Sequence, residues 1–409
     1  MIRNTIEQQI NSFKFLQFVI YLLFLFGPLT GNIILVLFNA LSQDFNVSHS
    51  AVHIAIPAFM FPFAITQLFS GAISDIKGRI PVLILGLGLF AIAMLIATLS
   101  ISLQMYAIAN FIGGVGFGFI NPVLIALMTD IIPPSNIPKK MGYLSASANL
   151  GVGLGPLLAS QMILIGWRSI YIMFIVIAIF GLIYMIKTKR PSQKISENSG
   201  IHILIKQLSK EWRHLVVVLM MLSAFLISHT YLAINIWTSS ELAGIVDVSL
   251  TGLILGLAGV GAAITGVLTG ILIKKRDIKI AFIIGSVFLF CSLTILIFIE
   301  DITRPDMYIF LAVGWILGGL AGGILFTSIT YYSQVLSPES RGALAGSLTA
   351  SYFVGIALIP TTLAPISEKF GITGVYVSIL LISIIFTLVI ILLYRLSSVI
   401  ISERKEDIN

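Results

Sequence analysis

The distance between successive charged side chains constrains this chain more than any other feature. Phe15 to Gln43 contains no Asp, Glu, Lys or Arg, and neither does Phe45 to Ser74. A helix needs about 20 predominantly apolar residues to cross the hydrocarbon core of a bilayer, so each run is long enough for one crossing. Ile80 to Thr129 is also free of charge and too long for one helix; Ser100, Ser102 and Gln104 mark a hairpin between two. Eight further runs follow: Met141 to Trp167, Ser169 to Ile186, Leu215 to Ser240, Val248 to Ile273, Ile280 to Ile299, Met307 to Pro338, Gly342 to Ser367 and Phe370 to Tyr394. The expectation is an all-α membrane protein with twelve transmembrane helices. Of the 409 residues, 58% are hydrophobic and 10% charged, against about 25% charged in an average soluble domain.

An even number of crossings places both termini on one side. Basic residues are retained in the cytoplasm, and with the amino terminus inside, the inner segments hold 21 of the 24 Lys and Arg residues. Only Arg168, Arg304 and Lys369 fall outside. Both termini are therefore expected in the cytoplasm, in a multi-pass protein of the plasma membrane. The net charge of +7 reads as retention at the anionic inner leaflet, not as a nucleic-acid surface. The first apolar run is too long for a cleavable signal peptide and lacks a small-residue cleavage pattern. A single cysteine, Cys291, excludes an intrachain disulfide and argues against a metal cluster; no cofactor is expected.

The longest polar stretch divides six spans from six. This gives an amino-terminal bundle over 1–186, a cytoplasmic linker over 187–214, a carboxy-terminal bundle over 215–397 and a tail over 398–409. The linker carries Lys187, Lys189, Arg190, Lys194, Lys206, Lys210 and Arg213. Within it, Ile201 to Leu208 reads either as a short amphipathic helix on the inner leaflet or as solvated linker. Slid by half the chain length, the two bundles match. Gly142, Leu144, Ala146, Ser147, Gly151 and Pro156 recur as Gly346, Leu348, Ala350, Ser351, Gly355 and Pro360. Gly113, Gly114 and Pro133 recur as Gly318, Gly319 and Pro338, and Gly71 and Gly86 as Gly270 and Gly285. Such duplication is typical of transporters.

The loop after the second span reads Gly71-Ala-Ile-Ser-Asp75-Ile-Lys-Gly78-Arg79-Ile-Pro81. It resembles motif A of the major facilitator superfamily, G-x-x-x-D-x-x-G-R-x-P, with each position filled. Gly71 lets a neighbouring helix approach, Gly78 supplies a tight reversal suited to positive φ, and Pro81 suits the first turn of the third span. The resemblance implies that Asp75 faces the positive end of the eleventh helix, near Gly342, in the inward-closed state. It also implies that Arg79 pairs with Asp130 at the inner end of the fourth span. Gly71, Asp75, Gly78, Arg79 and Asp130 would then form a conformational latch; the alternative is a charged loop that merely solubilises a hairpin. The matching loop of the second half, Gly270 to Ile280, keeps only its charge, in Lys274, Lys275, Arg276 and Asp277.

In the fifth span, Gly151-Val-Gly153-Leu-Gly155-Pro156 resembles motif C of the family's drug and metabolite exporters. Gly151 and Gly155 also form a plain GxxxG pair for close packing, and Pro156 removes a backbone donor. The Gly166-Trp167-Arg168 run that opens the sixth span adds to the exporter resemblance, and equally makes an interfacial anchor.

The chain departs from the exporters at Asn110, which stands where their motif B carries a buried Arg, and no carboxylate falls inside a span. The one ionisable group near the middle of a span is His229, in the seventh. It is either a proton-coupling residue or a neutral histidine hydrogen-bonded in the bundle. His53, near the outer end of the second span, is a weaker candidate. The family architecture implies that spans one, four, seven and ten line a central cavity. Asn32, Asn110, Asn121, His229, Asn235 and Trp315 are its expected polar and aromatic members, unless the amides satisfy one another across helices. Without a fixed charge, such a cavity favours neutral or lipophilic solutes.

The reading is a monomeric transporter that works by alternating access and exports a small neutral or lipophilic drug or metabolite, with proton coupling an open question; the alternative is an uncoupled facilitator of sugars or other neutral metabolites. A membrane sensor would need an output domain, which the short termini do not provide. An intramembrane enzyme would need a catalytic group, and neither His-Glu-x-x-His nor a pair of intramembrane aspartates occurs.

Overall fold

A computed structural model describes residues 2–133, 136–188, 201–299, 304–336 and 341–406. The expectations for Lys189, Arg190 and Lys194 lie outside the described residues, as do the side chains of Arg341 and Gly342. The described residues are helical, with no strand among them. In lipid no water can satisfy backbone N–H and C=O groups, so each crossing segment must bond to itself.

The first span is Ile2–Asn32 continued by Ile34–Phe45, the second His49–Val52 followed by Ala55–Lys77, and the third Arg79–Thr98. Leu103–Ile131, Ile137–Met162 and Arg168–Lys187 are the fourth, fifth and sixth. The seventh runs through Leu215–Ile227, a π-helical turn at Ser228–Leu232 and Ala233–Leu242. Val248–Lys275, Ile278–Ile297 and Tyr308–Val335 are the eighth, ninth and tenth. The eleventh and twelfth form one continuous element, Arg341–Glu406, broken at Gly371. Its apolar part, Ala343–Ser398, has 56 residues, which as one straight helix would reach about 84 Å, far beyond a bilayer. Gly371 resolves this with φ 63° and ψ −166°, a conformation that glycine takes at little steric cost.

Outward-facing Leu85, Phe111, Ile172 and Leu388 are each more than half exposed. A belt of this kind is stable only against hydrocarbon. The linker segment forms a helix, Ile201–Glu211, which packs on the second and eleventh spans. Leu208 is buried while Lys206 and Lys210 face out, and Trp212 Nε1 donates to Ser347 Oγ at 2.9 Å.

Glycines paired between the halves make equivalent contacts. A Cβ on Gly114 would strike the second span at Phe59 O, and one on Gly319 would strike the eighth at Ala258 O. Gly86 in the third span abuts Ile120 of the fourth, while Gly285 in the ninth abuts Leu325 of the tenth. Gly151 in the fifth presses on Leu25 of the first, and Gly355 in the eleventh presses on Phe225 and Ser228 of the seventh. Close backbone approach through small residues holds membrane helices together where no hydrophobic driving force exists between them. Each half uses it at the same joints.

Candidate functional site

A cavity of about 320 Å³ lies between the halves. The first, fourth, seventh and tenth spans contribute, as do the second, third, fifth, sixth, eighth and eleventh. Its wall is mostly apolar and aromatic, and Phe63 of the second span meets Phe353 of the eleventh at 4.5 Å between ring centroids. No Asp, Glu, Lys, Arg or His is among the described residues that line it.

Asn32, Asn110 and Asn121 line this cavity. Asn32 Nδ2 donates to Pro28 O at 2.6 Å and Asn110 Nδ2 to Tyr106 O at 2.8 Å. Each amide thus spends a donor on its own helix, and the carbonyl oxygen is left to accept. The three amides are not paired across helices.

His229, Asn235 and Trp315, expected in the same wall, are not part of it. In the seventh span the lining positions are Ile227, Tyr231, Leu232 and Ile236. His229 stands two residues from both Ile227 and Tyr231, roughly 200° around the helix axis. It is 3% exposed, its Nδ1 is 3.3 Å from Phe225 O, and its Nε2 has no partner. The stripe steps from Tyr231 to Ile236 after the π turn, which leaves Asn235 buried beside it. In the tenth span the lining residues begin at Gly322. Trp315 lies seven residues earlier, about 10 Å along the axis, and is fully buried.

At the end of the bundle that carries the chain termini, here the basic end, the structure brings Arg79, Asp75 and Asp130 together. Gly78 has φ 95° and ends the second span, turning Arg79 back toward its neighbours. Arg79 pairs with Asp75, and its Nε donates to Asp130 Oδ2 at 3.0 Å. Its Nη1 donates to Ser74 Oγ at 2.6 Å, and the Ser74 hydroxyl donates to Gly71 O at 2.7 Å. Gly71 departs from expectation: a Cβ there would meet nothing within 4 Å, and the same holds for its counterpart Gly270. Among the described residues no helix reaches either glycine, although the second and eleventh spans touch close by Gly71, where a Cβ on Gly346 would lie 3.9 Å from Leu68.

The fifth-span glycines divide between two partners. A Cβ on Gly155 would come within 2.7 Å of Leu29 O, so Gly151 and Gly155 both pack on the first span within their own half. Gly153 alone faces the other half, where its Cβ would lie 3.1 Å from Gly256 O; a Cβ on Gly259 would lie 2.6 Å from Gly153 Cα. Pro156 O faces Gly252. The eighth-span partners Gly252, Gly256 and Gly259 were missed, although their i, i+4, i+7 spacing is visible in the sequence.

At the far end, opposite the basic one, the halves meet through aromatic rings. His53 packs on Phe38 and on Trp237, with centroids 5.1 and 4.7 Å away. Nearby, Arg168 holds the first half together. Its Nε donates to Thr98 O at 3.1 Å, its Nη2 donates to Ser100 O at 2.9 Å and Asp44 Oδ2 at 2.8 Å, and it stacks on Trp167.

The profile of the Major Facilitator Superfamily matches residues 20–302 and 241–406. Over 194 residues the chain is 26% identical to the multidrug resistance protein MdtL of Vibrio parahaemolyticus, a match covering 46% of this chain and 48% of that one. Over 170 residues it is 28% identical to multidrug resistance protein D of Escherichia coli, covering 40% and 41%. The chain thus spans about half or less of the length of the curated relatives it matches. The fold also superposes on a D-xylose-proton symporter with a TM-score of 0.74 at 14% identity, covering 94% of this chain and 97% of that one. Twelve crossings in two matching halves, a cavity between them and a family profile running from residue 20 to residue 406 agree: this chain belongs to the Major Facilitator Superfamily of membrane transporters.

Proposed function

We propose that the chain exports a small neutral or lipophilic solute by alternating access, with both termini in the cytoplasm, and that a single chain is the working unit. The observation that carries this reading is the central cavity, which is walled by aromatic rings and asparagine amides, free of charged lining among the described residues, and shared between the two halves. A phosphate or dicarboxylate would enter it without a countercharge, at a large desolvation cost. A ring-bearing solute with N–H or O–H donors would find aromatic faces and the free carbonyl oxygens of Asn32 and Asn110. The similarity to two multidrug resistance proteins supports the export direction.

Gly71, Asp75, Gly78, Arg79 and Asp130 act here as the latch of the cytoplasmic gate, and Gly153 with the eighth-span glycines as the surface on which the halves move. An uncoupled facilitator is the second reading, favoured by Asn110 and by a cavity wall that holds no titratable Asp, Glu, Lys, Arg or His.

The test is flux of a neutral aromatic dye and of a sugar in proteoliposomes, with and without a pH gradient, in the parent chain and in Asn110→Leu. Export predicts dye flux, raised KM in Asn110→Leu and little sugar flux. Dye flux that ignores both the gradient and His229→Ala would exclude proton coupling through His229, and sugar flux alone would select the facilitator.

A further inference from the structure

Among the described residues outside the central cavity, His53 is a buried titratable side chain that sits where the halves meet and has no hydrogen-bond partner. His53 is 5% exposed, and neither Nδ1 nor Nε2 has a hydrogen-bond partner. A structural histidine normally donates from one ring nitrogen, and leaving that donor unmet in a buried site is costly. Phe38 and His53 belong to the first half and Trp237 to the second, so the ring is itself part of the seal. A pocket of about 340 Å³ is lined by His53 and Trp237 together with His49, Glu241 and Glu368. These three are the described ionisable groups that share this pocket with His53: His49 precedes it on the same segment, Glu241 ends the seventh span and Glu368 stands near the end of the eleventh.

We propose that His53 is the proton-binding element of the outer gate, so that the gate opens with uptake of one proton from the outer solution and closes with its release. The inference rests on the alternating-access reading. In the closed seal an imidazolium would bury a charge and two N–H donors between rings that offer no acceptor. Attraction to the face of Trp237 is a smaller effect. When the halves part, water and the carboxylates of Glu241 and Glu368 reach the ring and favour its protonated form. The sign follows from linkage: the proton binds the open form, so acid favours opening. The ratio of open to closed molecules rises toward acid, by up to about tenfold per pH unit once the ring of the open form begins to protonate.

The full chain carrying Cys291→Ser can be spin-labelled at Ile101→Cys and Phe298→Cys, exposed tips of the two far-end hairpins at 85% and 79%. Their separation is then read by pulsed electron resonance between pH 8 and 5. The expected result is two distances, with the longer gaining toward acid. His53→Gln should keep both distances at a fixed ratio, which also shows that it folds. Glu241→Gln with Glu368→Gln should move the transition to lower pH. Two distances whose ratio follows pH equally in His53→Gln would overturn the proton assignment and leave alternating access standing, as would a response lost only with the carboxylates. A single distance at every pH would overturn both.

Discussion

At the far rim the halves meet ring against ring, with Phe38 and His53 from one and Trp237 from the other. At the basic rim the charged residues Arg79, Asp75 and Asp130 pair within one half, and Gly71 and Gly270 face open space. On the proposed alternating-access reading, the contrast teaches how a gate can be both tight and reversible. Rings bury area without directional bonds, so parting them orphans few polar groups other than those already unmet, such as the nitrogens of His53. Charged groups that bridged the halves would each be stranded on opening, at the cost of an unpaired ion. Kept in one half, the three would strand no charge if the halves part.

Trp237→Ala breaks this contrast most directly. The side chain is 2% exposed, and truncating a buried tryptophan costs about 3–5 kcal/mol, here shared between folding and closure. Cavity-lining Ile56, replaced by Cys in a Cys291→Ser background, should react with a membrane-impermeant maleimide at least about tenfold faster once Trp237 is gone, because 1.4 kcal/mol of lost closure already suffices for that ratio. An unchanged rate would place the seal elsewhere.

How far the sequence reveals these rims depends on the kind of signal. Spans are legible because backbone in hydrocarbon must be helical, so gaps between charges translate into crossings. The Arg79 and Asp130 contact is legible through the resemblance of the loop to motif A, which implies that pair. The cavity wall is less so: Asn32, Asn110 and Asn121 sit on ordinary helical stripes, whereas the π turn at Ser228–Leu232 alters the register of the seventh span without a residue pattern that announces it. His229 was the expected titratable group for its depth. His53 takes the interfacial position instead, because what selects it is Trp237, distant in sequence and brought close only by the duplicated fold.

Arg168→Ala sharpens the comparison from within one half. The guanidinium caps carbonyls at the end of the third span and binds Asp44. Hydrogen bonds to charged groups contribute about 1.5–3 kcal/mol each, less at a site 38% exposed, so the expected loss is about 2–3 kcal/mol in all. The melting temperature should fall by several degrees, with Arg168→Lys only partly restoring it, since one ammonium cannot reproduce the fork. Maleimide access to position 56 should stay at the parent rate, because no bond across the halves is lost.

Arg79→Ala is expected to do the reverse, with the smallest effect on stability and a clear one on function. Arg79 is 14% exposed but its partners Asp75 and Asp130 are 38% and 31%, and pairs with carboxylates so open to solvent contribute about 0–1 kcal/mol each, so the melting temperature should move by only about a degree or two. Flux should fall, because the cluster that would meet the other half is dispersed. Exchanging the pair as Arg79→Asp with Asp130→Arg separates the two roles. It restores the ion pair, yet leaves Asp75 and Ser74 without the guanidinium that also binds them, so flux should stay low. If flux recovers with the exchanged pair, the attraction between positions 79 and 130 is all the latch requires. If Arg79→Ala melts as early as Arg168→Ala, the cluster is a structural brace and the two rims are alike after all.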